Sequence, residues 1–129
     1  DDDIPNIAIV SRSHAGAVKS VFETAFGSES GTWTVEPAGG SGYKSLRILN
    51  NTAKLYVHTT AIKKWDICSG NAILTAAGGQ MTTLDGDKLT YFANDDVKNE
   101  RGILATRNRM HFSYLNKLGD AFKADSDPA

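Results

Sequence analysis

Three clusters of polar residues in this sequence have the composition needed to hold an anion or a cation. The first is Ser11-Arg12-Ser13-His14, which gathers two hydroxyls, a guanidinium and an imidazole. It follows an apolar run and precedes a segment of helical periodicity, so it falls where the free N–H groups of a helix start point outward and can receive an anion. Capping by Ser13 would account for one serine, but not for His14. The second is Gly39-Gly40-Ser41-Gly42-Tyr43-Lys44. Its glycines let backbone approach a ligand closely, a helix start supplies N–H donors, and Lys44 adds a point charge, which together suit a phosphate. It is not a P-loop of the triphosphatase kind, because Tyr43 separates Gly42 from Lys44 and the earlier glycine spacing fails. A flexible turn ahead of a helix is the plain alternative. The third is Trp65-Asp66, with Asp66 at a helix opening. An N-cap is one reason for an acid there. The other is a carboxylate for Mg²⁺, which prefers oxygen ligands and takes one or two carboxylates together with water and substrate phosphate.

The elements that must position these clusters alternate. Ile7 to Val10 reads as a buried strand bounded by Pro5 and Ser11. Val18, Val21, Phe22, Ala25 and Phe26 then recur on one helical face, with Ser13 as N-cap and Gly27 as the stop. Thr32 to Val35 is a second strand, ended by Pro37, and Leu46, Ile48 and Leu49 imply a second helix. Lys54 to Val57 is a third strand, and Trp65 to Ala77 a helix that stops at Gly78-Gly79. Gln80 to Thr83 and Lys88 to Phe92 flank Asp85-Gly86, a pair suited to a hairpin turn. Ile103 to Thr106 is a last strand, a helix follows from about Asn108 to Leu118, and the polar end from Lys123 to Ala129 is expected to fray. Strand alternating with helix predicts an α/β fold, a mixed and largely parallel sheet flanked by helices. In such sheets ligands bind beyond the carboxyl ends of the strands, where all three clusters fall.

Composition narrows the function. The 129 residues, 40% hydrophobic, allow one compact core and a single domain. With a formal net charge of -1 and basic residues scattered singly or in pairs, the chain lacks the stripe that tracks a nucleic-acid backbone, so no nucleic-acid partner is expected. Cys68 is the only cysteine, which excludes a disulfide framework and a zinc site on paired cysteines. No apolar run approaches the roughly 20 residues of a membrane span, so the chain is expected to be soluble. It opens on Asp1-Asp2-Asp3 without Met, which reads as a piece of a longer protein.

The third cluster extends into a longer pattern. Trp65-Asp66-Ile67-Cys68-Ser69-Gly70-Asn71-Ala72-Ile73-Leu74, followed by Gly78-Gly79, resembles the carboxy-terminal signature of the inositol monophosphatase superfamily. Ser11 to His14 and Gly39 to Lys44 resemble the additional motifs of its bisphosphate nucleotidase branch, in the same order and at similar distances, so the resemblance runs from about Ile7 to Thr106.

That resemblance implies the C-terminal half of a layered αβαβα fold and the removal of the 3'-phosphate from 3'-phosphoadenosine 5'-phosphate, giving AMP and phosphate, with Mg²⁺ as cofactor. It makes Asp66 a metal ligand that also lies near substrate, and Ser11, His14, Gly42 and Lys44 the groups that hold the nucleotide. His58, at a strand end, falls near a position where some relatives carry an arginine facing substrate, although an exposed histidine is the simpler expectation. The acidic pair and the D-P-L-D-G-T type motif of such enzymes are not in this sequence. Residues 1–129 are therefore expected to be a half-domain without catalytic residues of its own and inactive alone, with an N-terminal half of the same protein, in the same or a separate chain, as its partner and a homodimer as an open alternative. Leu84-Asp85-Gly86 imitates part of the missing motif, but Thr82 stands where its first Asp should be, so Asp85-Gly86 reads as a turn. Cys68 is expected to be a small buried group, Trp65 a core or wall residue, and Asp95 and Asp96 solvated. Ile62 to Cys68 and Gly79 to Thr83 most resemble Golgi-resident members of the branch, and Asn50-Asn51-Thr52 is an N-glycosylation sequon, so the Golgi lumen is the expected compartment and the cytoplasm the alternative. Two other readings stay open: a non-catalytic nucleotide or phosphate binding module, and an inositol phosphate phosphatase.

Overall fold

The computed structural model describes residues 4–12, 15–26, 33–91, 97–99, 101–107 and 110–126. Along the chain it forms β1 (Ile7–Ser11), α1 (Ala15–Phe26), β2 (Thr34–Ala38), α2 (Ser41–Leu49), β3 (Leu55–His58), β4 (Ile62–Lys63), a 3-10 turn (Lys64–Asp66), α3 (Cys68–Ala76), β5 (Gln80–Thr82), β6 (Lys98–Asn99), β7 (Ile103–Thr106) and α4 (His111–Ser126). Five strands make one sheet in the order β2-β1-β3-β7-β5, and β4 pairs with β6 in a separate two-stranded ribbon. β1 runs parallel to β2 and β3, while β7 is antiparallel to β3 and β5, so the sheet is mixed, as expected, with four of its five strands pointing the same way.

Both faces of this sheet are covered, and strand sequence shows why. Ala8, Ile9 and Val10 are all fully buried, which only a strand flanked by helices on each side requires. Side chains of alternate parity then divide between two cores. Ala8, Val10, Leu55, Val57 and Leu104 pack with Val18, Val21, Phe22 and Phe26 of α1 and with Tyr114, Leu115 and Leu118 of α4. Ile9, Tyr56, Ile103 and Ala105 pack on the opposite face with Ile48 of α2 and Leu74 of α3. The chain thus leaves β1 through a helix on one face and returns to the other side of β1 through a helix on the opposite face. This reversal opens a crevice at the carboxyl ends of β1 and β3.

Several local expectations are corrected. Pro37 does not end the second strand but lies inside β2, opposite Val10. β2 is an edge strand, so the missing N–H leaves no ladder partner unsatisfied. The expected helix from Trp65 to Ala77 is broken into the 3-10 turn and α3. The 83–88 turn is present, with Gly86 at φ +90°, but among the described residues its second arm makes a single antiparallel bridge, Thr82 to Lys88, on the side of β5 away from β7. α4 continues to Ser126, beyond the expected end at Leu118 and through much of the stretch expected to fray. Lys98 and Asn99, in a stretch for which the sequence predicts no strand, form β6. Ser13 and Gly27, expected to bound α1, and Asp95 and Asp96 lie outside the described residues.

Candidate functional site

A cleft of about 900 Å³ opens at the carboxyl edge of the sheet, lined among others by Gly40, Ser41, Gly42, Lys44, Tyr56, His58 and Asp66. Two of the three polar clusters therefore share one concavity. The first cluster adjoins it: Ser11 pairs with Ala38 across β1 and β2, and the Ala38 carbonyl accepts a hydrogen bond from Lys44 Nζ at 3.1 Å. Arg12 reaches the same place, since a Cβ on Gly39 would lie 3.8 Å from its guanidinium carbon. Ser11 itself is not among the residues that line the cleft. His14 lies outside the described residues.

The glycine-rich turn is built for backbone exposure. Gly40 stands at φ +83° ahead of α2, a left-handed conformation that glycine adopts without steric cost, and no side chain caps the helix start. The first N–H groups of α2 are thus directed toward the cleft end of the sheet, where an anion would meet them. Lys44, one turn in, is 5% exposed, with its ammonium 5.4 Å from the centre of the Tyr56 ring. Burial and then the nearby charge of Arg12 hold its pKa below the ordinary lysine value. A buried ammonium with a guanidinium beside it favours an incoming anion.

The cleft's polar wall is continuous with this. Tyr56 donates to Ser41 Oγ at 3.2 Å, which ties β3 to the first residue of α2. Burial raises the phenol's pKa, the Ser41 bond opposes the shift, and the negative charge of Asp66 adds to it, so Asp66 and Tyr56 lie within electrostatic reach. Asp66 is exposed at the end of the 3-10 turn. It does not cap α3, whose N-cap is Ile67 without a side-chain bond, and this corrects the capping expectation. The carboxylate is left to face the cleft. His58 is half-buried rather than exposed, with Nε2 at 3.1 Å from Thr60 Oγ1 and 3.3 Å from the Ala61 carbonyl. Trp65 is a wall residue and not a core one, at 59% exposure, and Cys68 is exposed rather than buried. Asp85 is taken up by Arg101 at 2.6 Å at its turn and does not line the cleft.

Asp66 is a reasonable ligand for Mg²⁺ but not a sufficient one. Among the described residues no group of three or more His, Cys, Asp or Glu side chains comes together. This chain can offer the ion one carboxylate beside a phosphate-sized cradle, which fits a metal that keeps water and substrate oxygens in its shell.

Sequence reasoning missed Tyr56, Lys63, Ser69 and Lys98, all of which line the cleft. Tyr56 was findable, because it lies two residues before His58 and alternation puts both on one sheet face. Lys98 was not, since only the non-local β4 to β6 pairing brings it there.

A two-faced mixed sheet with a phosphate-type cradle and one carboxylate at its carboxyl edge defines the class, and residues 2–120 match the inositol monophosphatase family: the chain belongs to it. Among its relatives, the Golgi-resident adenosine 3',5'-bisphosphate 3'-phosphatase of Mus musculus is 48% identical over 122 residues, 90% of this chain and 33% of that protein. Inositol monophosphatase 3 of Danio rerio is 48% identical over 116 residues, 85% of this chain and 33% of that protein. The chain thus spans about a third of the length of these relatives. Inositol monophosphatase II of Staphylococcus aureus shares the fold at TM-score 0.70 and 18% identity, over 94% of this chain and 43% of that one. An inositol monophosphatase/NADP phosphatase complexed with Mg²⁺ and phosphate does so at TM-score 0.62 and 19% identity, over 88% and 39%.

Proposed function

We propose that this chain is the C-terminal, nucleotide-binding half of a Mg²⁺-dependent phosphatase that removes the 3'-phosphate of 3'-phosphoadenosine 5'-phosphate, yielding AMP and phosphate. The observation that carries the reading is the shared cleft, which brings Lys44, the uncapped start of α2 and Asp66 to one concavity. The likeness to the bisphosphate phosphatase supports the choice of nucleotide. The equal likeness to inositol monophosphatase 3 keeps inositol phosphates as the second reading.

In this mechanism the Gly40 to Lys44 turn receives phosphate oxygens through backbone N–H groups and the Lys44 ammonium, and Ser11 and His14 add contacts to phosphate and ribose. Asp66 would hold a Mg²⁺, which when bound polarises the phosphate and lowers the pKa of a water ligand. No covalent intermediate on the protein is called for; the chain's own residues bind, orient and neutralise charge. The acidic groups that complete the metal shell are assigned to an N-terminal half, as part of the same protein or a separate chain. A Golgi lumen location follows the named relative, and Asn50, exposed at the end of α2, would accept a glycan there.

Phosphate release from 3'-phosphoadenosine 5'-phosphate and from inositol monophosphate, assayed with the protein that carries this chain, tests the proposal. Mg²⁺-dependent release from the nucleotide, lost in Asp66→Asn with the fold retained, is the expected result. Full activity in Asp66→Asn, or release from the inositol phosphate alone, would contradict it.

A further inference from the structure

Tyr56 is the largest fully buried side chain among the described residues. It sits in the middle of the sheet, paired with Ile9 of β1 on one side and Ala105 of β7 on the other, within an apolar core. Packing there asks for an apolar ring, which phenylalanine would supply. The phenol hydroxyl adds a polar group that costs free energy to bury unless it is bonded. Its bond runs to Ser41 Oγ at 3.2 Å, at the cleft end of α2 rather than into the core. The same side chain meets a second residue of that helix, since the Lys44 ammonium lies 5.4 Å from the ring centre. Ser41 and Lys44 stand at i and i+3 on α2, so one face of its first turn rests on one tyrosine.

That first turn has to be held from outside. α2 is nine residues long, its N-cap is Gly40, and no side chain caps it. A serine, threonine or aspartate cap would steady the turn but would occupy the N–H groups on which an anion depends. A tether through the Ser41 side chain steadies it and occupies none of them. Lys44 is held in a comparable way. The Ala38 carbonyl accepts from its ammonium at 3.1 Å and the Tyr56 ring attracts the same charge, so a long, flexible stem is fixed before a ligand arrives. Tyr56 borders the cleft yet has no exposed surface, so it acts through these two neighbours and not by touching a ligand itself.

We propose that Tyr56 is a positioning residue of the phosphate cradle, its hydroxyl holding Ser41 and its ring holding Lys44, so that the uncapped turn is ordered and open before phosphate binds. The assignment rests on the reading of the Gly40 to Lys44 turn as that cradle. Ordering a site in advance removes an entropy cost from the binding step, so loss of either contact appears as lost affinity.

Calorimetric titration with inorganic phosphate tests it, on the protein that carries this chain and on its Tyr56→Phe, Ser41→Ala, doubly substituted and Tyr56→Leu variants, with thermal unfolding of each as the check on the fold. Tyr56→Phe keeps the ring and should lose roughly 5-fold in phosphate affinity, Ser41→Ala should lose a similar amount, and the double variant no more than either, since all three lack the same bond. Tyr56→Leu, without the ring, should lose roughly 5-fold more. In the phosphate-free protein the Lys44 amide, bonded to the Gly40 carbonyl at 3.1 Å, should exchange roughly 5-fold faster in Tyr56→Phe and in Ser41→Ala, while the amides of β1 and β3 keep their wild-type rates. Ser41→Ala carries this readout by itself if Tyr56→Phe does not fold. A role confined to packing would lower unfolding temperatures and leave phosphate affinity and Lys44 exchange unchanged in the folded variants, and that result would overturn the proposal. Additive losses in the double variant would also overturn it, because Ser41 would then serve phosphate without Tyr56. Affinity that falls in Lys44→Met but not in Tyr56→Phe would defeat the positioning role alone, whereas affinity untouched by Lys44→Met would defeat the cradle reading itself.

Discussion

Ser45 and Gly70 touch where α2 crosses α3: a Cβ added to Gly70 would lie 2.5 Å from Ser45 Oγ and 2.9 Å from Ser45 Cβ. Lys44 immediately precedes the first of these residues and Asp66 lies four positions before the second, so the closeness of this crossing sets how the cradle and the carboxylate face one another. Ser45 Oγ is buried without a hydrogen-bond partner, which indicates that small size rather than polarity is what the position needs.

Gly70→Ala is therefore a test with an informative sign. Inside a helix the change usually stabilises by up to about 1 kcal/mol. Here overpacking should reverse that and cost about 1–3 kcal/mol, measured by denaturant unfolding. Adding Ser45→Gly should recover part of the loss, whereas a stabilised Gly70→Ala protein would show that the helices can separate freely.

Lys44→Met separates charge from packing. The buried stem is retained, so stability should change little, while phosphate affinity should fall by about 2 kcal/mol, roughly 30-fold. Because burial and Arg12 lower the lysine's pKa, phosphate binding by the wild type should also begin to weaken at a lower pH than an ordinary lysine would give. Calorimetry across alkaline pH reads both effects.

His111 gives the fold a pH dependence unrelated to the cleft. It is fully buried between Thr82 Oγ1 and Thr106 Oγ1, each 2.8 Å from a ring nitrogen. The Thr82 hydroxyl spends its proton on the Thr83 carbonyl, so Nε2 must donate to Thr82 and Nδ1 must accept from Thr106, which assigns the neutral tautomer. Burial lowers the pKa from 6.5 to about 4. The unfolded chain then takes up a proton first as pH falls, so stability is full above 6.5, declines between there and 4, and levels off below, for a loss of about 3 kcal/mol at most. Unfolding at pH 7 and 4.5 should show this, and His111→Gln should flatten it. An equally steep dependence in the variant would assign the effect to carboxylates.

Much of this was legible in the sequence because it is local. The β-branched run at Ile7 to Val10, the apolar face through Val18, Phe22 and Phe26, and the glycines before Lys44 each carry their own signal. What escaped depends on distant partners. Thr82 pairs with Leu104 on one side and bridges Lys88 on the other, and among the described residues the arm after the turn extends that bridge no further. Lys98 becomes a cleft residue only by meeting Lys63. The 3-10 turn that frees Asp66 from capping, and the exposure of Cys68 and Trp65 around it, follow from how α3 docks on β5 and α2 rather than from any residue preference. The alternation that puts Tyr56 beside His58 was present and could have been used.

The central claim is that phosphate and Mg²⁺ meet in the cleft between the Gly40 to Lys44 turn and Asp66, and amide chemical-shift mapping of the protein with adenosine 3',5'-bisphosphate, with and without Mg²⁺, tests it most directly. The account predicts shifts concentrated at Gly40 to Lys44, His58 and Lys63 to Asp66, with those at Asp66 strengthened by Mg²⁺ and lost in Asp66→Asn. Shifts confined to other surfaces, or a pattern indifferent to both Mg²⁺ and the Asp66 carboxylate, would contradict it.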